Sequence, residues 1–354
     1  MPKLINNLLN KASVFISFVS VVLLASEIIL FLNGRRLDWL SELNRYYPVS
    51  IRQNNTTVYL DRSYSMLNGW SVSPGEHKSE EDPSVDITVW PNFMRACRPN
   101  PNKKTEINVA FINGSYTFGE GVRDRDTMVW RLNEKYPNVT FDNYAVPGYG
   151  PLQCGEHLKK YVFPAKHYDL ICYNINEGNL FVNAYPHAQQ GSLKTNRFYI
   201  IAPYSAKDCF GRWRNYNSFN SGFILNNRLL SSDLFYRFYL ARTGSYDYTA
   251  HHKDPKDKIR DVYVHQVQEL ENLCRQQNTD FAVFALEPFV PIDIFPNLTV
   301  AGPTVDISFA EINETRNRVL KTPGFHPNAF VHAHWAQRFS EWFDKEYLPK
   351  KSKP

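Results

Sequence analysis

Cysteine is scarce in this chain: Cys97, Cys154, Cys172, Cys209 and Cys274 are the five in 354 residues. They permit at most two disulfides with one thiol left over, and their spacing fits no zinc pattern. Cys172 reads as the core of a strand, and the pairing of the others stays open. Charge of one sign is equally scarce. Forty Lys and Arg against 35 Asp and Glu leave a net +5, too little to imply a polyanionic partner. No run of basic residues interleaves with aromatics, so nucleic acid is not an expected partner. What the chain does have is a hydrophobic fraction of 43% with 15% aromatics, which is globular rather than disordered. Its length fits one large domain or two small ones.

Residues Ser13 to Leu32, SVFISFVSVVLLASEIILFL, form an apolar run with Glu27 as its one charge. About 20 such residues cross a bilayer. A cleavable signal peptide is the competitor, but its apolar core is usually shorter, and no small-x-small site follows this run. A buried core helix would show a polar face. The expectation is an uncleaved anchor within residues 1–36. Lys3 and Lys11 lie upstream and Arg35, Arg36 and Arg45 downstream, so flanking charge does not fix the orientation. A short cytoplasmic tail would place everything after Asn33 in a periplasmic or other extracytoplasmic space; a cytoplasm-facing domain is the alternative. Asn-x-Ser/Thr sequons at Asn54, Asn55, Asn113, Asn138, Asn297 and Asn313 do not by themselves establish glycosylation.

Residues 37–106 read as a membrane-proximal extension outside the core. They are turn-rich around Trp70 to Gly75, and Val85 to Val89 then alternate like an exposed strand. The character changes at Val109 to Val122, VAFINGSYTFGEGV. Val109 to Ile112 is a β-rich apolar run without polar alternation, as in a parallel strand covered on both faces. Asn113-Gly114 then turns the chain, leaving Ser115 at the carboxyl end of the strand, where open α/β sheets place ligands.

The stretch NGSYTFGEGV resembles the first motif of the SGNH (GDSL-type) hydrolases, GDSxTxGxG, with Ser115 as the nucleophile and Thr117, Gly119 and Gly121 in register. The family's Gly-Asp is Asn113-Gly114 here. Val139 to Tyr144 reads as the next strand, and the loop after it, through Val146-Pro147-Gly148-Tyr149-Gly150, is similar to the second motif. The resemblance gives Gly148 an oxyanion-hole N–H, with Gly150 as the competing choice. Tyr168 to Ile175 is a third buried strand and leads into Asn174-Ile175-Asn176-Glu177, which resembles the GxND motif. Asn176 then stands at the oxyanion-hole asparagine, while Asn174 and Glu177 depart from the pattern. Gly324-Phe325-His326-Pro327-Asn328 resembles the fifth motif, which makes His326 the general base. His332 and His334 are rivals on chemistry alone. The family's aspartate three residues before this histidine is Pro323 here. Either the Pro323 carbonyl serves a Ser-His dyad, or Asp306 supplies the carboxylate.

Helical stretches fill the gaps. One follows Asp126 as cap, through Met128, Val129 and Leu132; others are Leu152 to Tyr161, Leu229 to Arg242, Ile259 to Gln276 and Ala329 to Tyr347. Phe281 to Leu286 and Val305 to Ile307 complete the strands. Such alternation predicts an α/β fold with a doubly wound parallel sheet, and the resemblance implies a flavodoxin-like arrangement in three layers. The expected hydrolase-like domain is 107–348, followed by a tail, 349–354. The insertion from Phe181 to Pro255 is dense in aromatics that suit a core and also a sugar-binding wall.

The resemblance implies ester hydrolysis or acyl transfer on an O-acylated glycan or lipid, with no metal or organic cofactor. A non-catalytic glycan-binding or envelope-assembly protein on the same fold is the alternative.

Overall fold

In the computed structural model the described residues are 11, 13–25, 51–53, 56–59, 71–72, 74–78, 84–100, 102–176, 180, 183, 204–207, 211–216, 256–314, 317 and 326–351. The predicted helix over Leu229 to Arg242, most of the aromatic insertion, Cys209, Glu177 and Pro323 lie outside them.

Five strands form the central sheet: β1 (Ile107–Ile112), β2 (Val139–Asn143), β3 (Leu170–Ile175), β4 (Asp280–Ala285) and β5 (Thr304–Asp306). Their order is β5-β4-β3-β1-β2, and every neighbouring pair is parallel. The runs without polar alternation are the central strands. All six residues of β3 and all five of β2 are buried, as parallel strands covered on both faces require.

Four longer helices carry the crossovers or flank them: α2 (Met128–Lys135), α3 (Pro151–His157), α4 (Lys256–Gln276) and α5 (Ala329–Trp342). A one-turn helix, α1 (Ser115–Phe118), directly follows β1. The helices pack as two pairs, α2 with α5 and α3 with α4. The β1-to-β2 and β2-to-β3 connections run in opposite directions across the sheet, so right-handed crossovers put α2 and α3 on opposite faces. The chain reverses direction between β1 and β3. Ligand crevices of such sheets open at that switch point, beyond the strand ends.

Aromatic packing closes the α5 side. Phe339 meets Phe111 of β1 and Phe284 of β4 with ring centroids 5.1 Å apart in each pair, and Phe343 joins Phe141 of β2 at 5.4 Å. Asn133 of α2 ties the edge strand to its helix: its amide donates to Phe141 O and Cys97 O and accepts from Phe141 N.

Three expectations change. The cap of α2 is Thr127, whose hydroxyl accepts from Trp130 N; Asp126 is instead held by Arg123 and Arg131. The segment 37–106 is partly built into the core rather than set outside it. Val85, Ile87, Val89, Met94 and Cys97 share the hydrophobic cluster of the sheet, because one face of the hairpin Gly75–Lys78/Asp86–Val89 turns inward. The final helix ends at Trp342 and continues as a wider π turn over Phe343–Tyr347.

Cys97, Cys154, Cys172 and Cys274 are buried free thiols, with Cys172 in the core of β3 as expected. At the amino terminus, the helix over residues 13–25 exposes Val14, Phe15, Phe18 and Leu24 by 63–70% each. Among the described residues no helix is long and apolar enough to cross a membrane; residues 26–32 of the apolar run lie outside them.

Candidate active site

Ser115 sits just past β1 as the first residue of α1, half-buried, and its hydroxyl has no hydrogen-bond partner among the described residues. The turn that delivers it is strained. Asn113 takes φ +143°, a region in which a side chain costs of order 1–3 kcal/mol. Val146 N donates to Asn113 O at 2.8 Å, so the loop after β2 starts beside the serine turn. Gly148 lies in that loop at φ +79°, the left-handed conformation expected of a Pro-Gly turn. Gly150 is extended instead, and its N–H donates to Gln153 Oε1 at 3.1 Å. The Gly150 N–H is therefore already committed.

Asn176, one residue beyond β3, is 5% exposed, and its amide has no hydrogen-bond partner among the described residues. Beneath it lies an unusual tier. Ile112 pairs with Tyr173 across β1 and β3, which brings the next residues, Asn113 and Asn174, side by side. Both are buried, and neither amide has a hydrogen-bond partner among the described residues. A buried polar group left unpaired costs about 1–3 kcal/mol.

The loop after α1 is fixed from outside. Arg95 is wholly buried; its Nη1 donates to Phe118 O and Gly119 O, its Nη2 to Val122 O, and its Nε to Asp124 at 3.0 Å. Asn143 Nδ2 donates to Thr117 O as well. These donors satisfy the carbonyls that a one-turn helix leaves unpaired at its end. Gly119 caps α1 at φ +84°.

His326 precedes the N-cap of α5, Asn328, whose side chain accepts from Phe330 N and Val331 N. The His-Pro-Asn sequence thus sets the imidazole at a helix start. Its ring meets Tyr116 edge-on at 5.8 Å, and its Nε2 lies 3.3 Å from Glu120 Oε2. Tyr116 and Glu120 bracket the serine's own turn; Glu120 N donates to Ser115 O at 3.1 Å. The structure therefore places His326 against Tyr116 and Glu120, two residues that closely follow Ser115. His326 Nδ1 is buried and has no hydrogen-bond partner among the described residues.

The rival histidines are committed elsewhere. His332 Nδ1 accepts from Met128 N at 3.3 Å. Burial, followed by the positive charges of Arg95 and Arg131 and by His326, pushes its pKa down to about 3, so it stays neutral. His334 Nε2 lies 3.2 Å from Ser308 O. Asp306 is not brought to the imidazole: it stands exposed at the end of β5, where its carboxylate accepts from Ser308 N at 2.9 Å.

Two contributors escaped the sequence reading. Glu120 carried a signal, as a carboxylate flanked by glycines in the serine loop; Arg95 carried none, because a buried arginine in a turn-rich segment looks like any surface arginine.

The sequence matches no family model and no curated protein. Solved structures with partial likeness include a lipolytic protein of the G-D-S-L family from Veillonella parvula (12% identity, TM-score 0.36, 68% of this chain and 99% of that one). A GDSL-like lipase from Bacteroides thetaiotaomicron gives 9%, 0.34, 67% and 88%, and a catalytic mutant of an acetylxylan esterase from Geobacillus stearothermophilus gives 13%, 0.33, 68% and 94%. Likeness of that degree leaves the chemistry to be argued from the chain's own geometry.

Proposed function

We propose that this protein is a serine esterase or O-acyl transferase of SGNH type, held at a membrane by the apolar run from Ser13 to Leu32 and acting on an acylated glycan or lipid outside the cytoplasm. The observation that carries this reading is the clasp of His326 by Tyr116 and Glu120, the neighbours of Ser115 on a single turn. His326 takes the Ser115 hydroxyl proton as Oγ attacks the ester carbonyl. The Ser115 N–H, the Gly148 N–H and the Asn176 amide receive the oxyanion, where one donor is worth roughly 3 kcal/mol of barrier. The imidazolium returns the proton to the leaving alkoxide, giving an acyl-serine. Water, or an acceptor hydroxyl in transfer, then repeats the sequence and releases the acyl group. No cofactor enters.

The binding-protein alternative is favoured by one observation: among the described residues Ser115 Oγ has no hydrogen-bond partner. Release of acetate from O-acetylated glycan oligomers and of fatty acid from glycerolipids, measured with the full chain in detergent, separates the readings. Turnover lost in Ser115→Ala supports an enzyme and names its substrate class. Binding of either ligand with no turnover supports the alternative.

A further inference from the structure

We infer that Glu120 is the positioning carboxylate of this site, replacing the acid that Pro323 displaces, and that it leaves Nδ1 of His326 as the base nitrogen. The inference rests on the esterase reading and deepens it. A carboxylate can only accept, so with Glu120 Oε2 3.3 Å from Nε2, the tautomer that this carboxylate favours carries its proton on Nε2. Its lone pair is then on Nδ1, the ring nitrogen that is buried and has no hydrogen-bond partner among the described residues. Three other carboxylates are committed elsewhere: Asp306 accepts from Ser308 N, Asp124 is paired with Arg95, and Asp126 with Arg123 and Arg131.

The position of Glu120 is built rather than incidental. Its N–H is bonded to Ser115 O, and the carbonyls on both sides of it, Gly119 O and Val122 O, are held by Arg95. Its side chain and that of His326 are 20% and 13% exposed, which shields the pair from solvent while leaving the loop open at the strand ends. During attack, the Ser115 Oγ–H proton passes to Nδ1 and the Oγ–acyl bond forms. When the tetrahedral intermediate collapses, the bond to the leaving oxygen breaks and that proton passes to it. The Glu120 carboxylate stabilises the imidazolium.

The test has two readouts on the full chain in detergent micelles. The first is hydrolysis of p-nitrophenyl acetate by the native protein and by Ser115→Ala, Glu120→Gln, Glu120→Ala and Asp306→Asn. The second is the ¹⁵N spectrum of histidine-labelled protein, with His326 identified by its loss in His326→Gln. Removing an orienting carboxylate from a working triad costs about 10⁴ in rate. The expected result is a fall in kcat of about 10²–10⁴-fold in Glu120→Ala with little change in KM. Glu120→Gln, which keeps an acceptor without the charge, falls between, and Asp306→Asn matches the native protein. The spectrum shows His326 protonated at Nε2 and loses that preference in Glu120→Ala. A proton on Nδ1, a faster Glu120→Ala enzyme, or loss on Asp306→Asn in place of Glu120→Ala overturns the inference. If the native protein hydrolyses no ester while the spectrum holds, the esterase reading fails, and the placement of His326 by Glu120 stands on its own.

Discussion

Arg95 and Asp124 form a buried ion pair, with Nε and Oδ1 3.0 Å apart and the two side chains 0% and 7% exposed. The pair joins the hairpin before the sheet to the loop that carries Ser115, since Asp124 also accepts from Thr88 N. Removing one partner of such a pair strands the other charge and costs about 3–5 kcal/mol. Arg95→Met is therefore expected to lower stability by that amount in urea unfolding. Arg95→Met with Asp124→Leu is expected to cost less than the sum of the single changes. Strict additivity would show that the two charges do not depend on one another.

Gly119 and Gly211 both sit at positive φ, +84° and +74°, yet a Cβ on Gly119 meets Thr127 Cγ2 at 2.7 Å and Arg95 Nη1 at 3.0 Å, while one on Gly211 meets nothing within 4 Å. The backbone penalty is shared; the collision is not. Gly119→Ala is expected to cost about 1–3 kcal/mol more than Gly211→Ala, measured as the difference in thermal unfolding. Equal losses would mean that the Arg95 side chain yields freely.

His332 gives the fold a signature in acid. Its pKa is about 3 in the folded protein against a reference of 6.5. Between those values the unfolded chain binds a proton that the folded chain does not, so stability falls as pH drops below about 6.5, by roughly 1.4 kcal/mol per pH unit. Above 6.5 this contribution vanishes. His332→Gln, whose carbonyl oxygen can still accept from Met128 N, is expected to lose about 2 kcal/mol less than the native protein between pH 7.5 and pH 5. Urea midpoints at the two pH values check this, and parallel losses in both proteins would contradict it.

The strands were legible because β1, β3 and β4 are apolar runs too short for helices. Local signals were also readable: the positive φ of Gly148 and the cap before α5 follow from the residue types alone. What was hidden depends on distance in the chain. Asp306 was a reasonable substitute by sequence position, but β5 is the far edge strand from β1, and Glu120 reaches His326 only because α1 lasts a single turn before the chain doubles back. The inward face of the hairpin was hidden for a related reason: alternation at Val85 to Val89 reports a two-sided strand without saying what covers it.

The central claim is that the loop of Ser115, with His326 held against it, activates the hydroxyl. Labelling of the full chain with a fluorophosphonate probe tests this directly, because such probes report an activated serine without requiring the natural ester. The account predicts labelling of the native protein that both Ser115→Ala and His326→Ala abolish. A folded native protein that takes no label, or label that survives in Ser115→Ala, would contradict it.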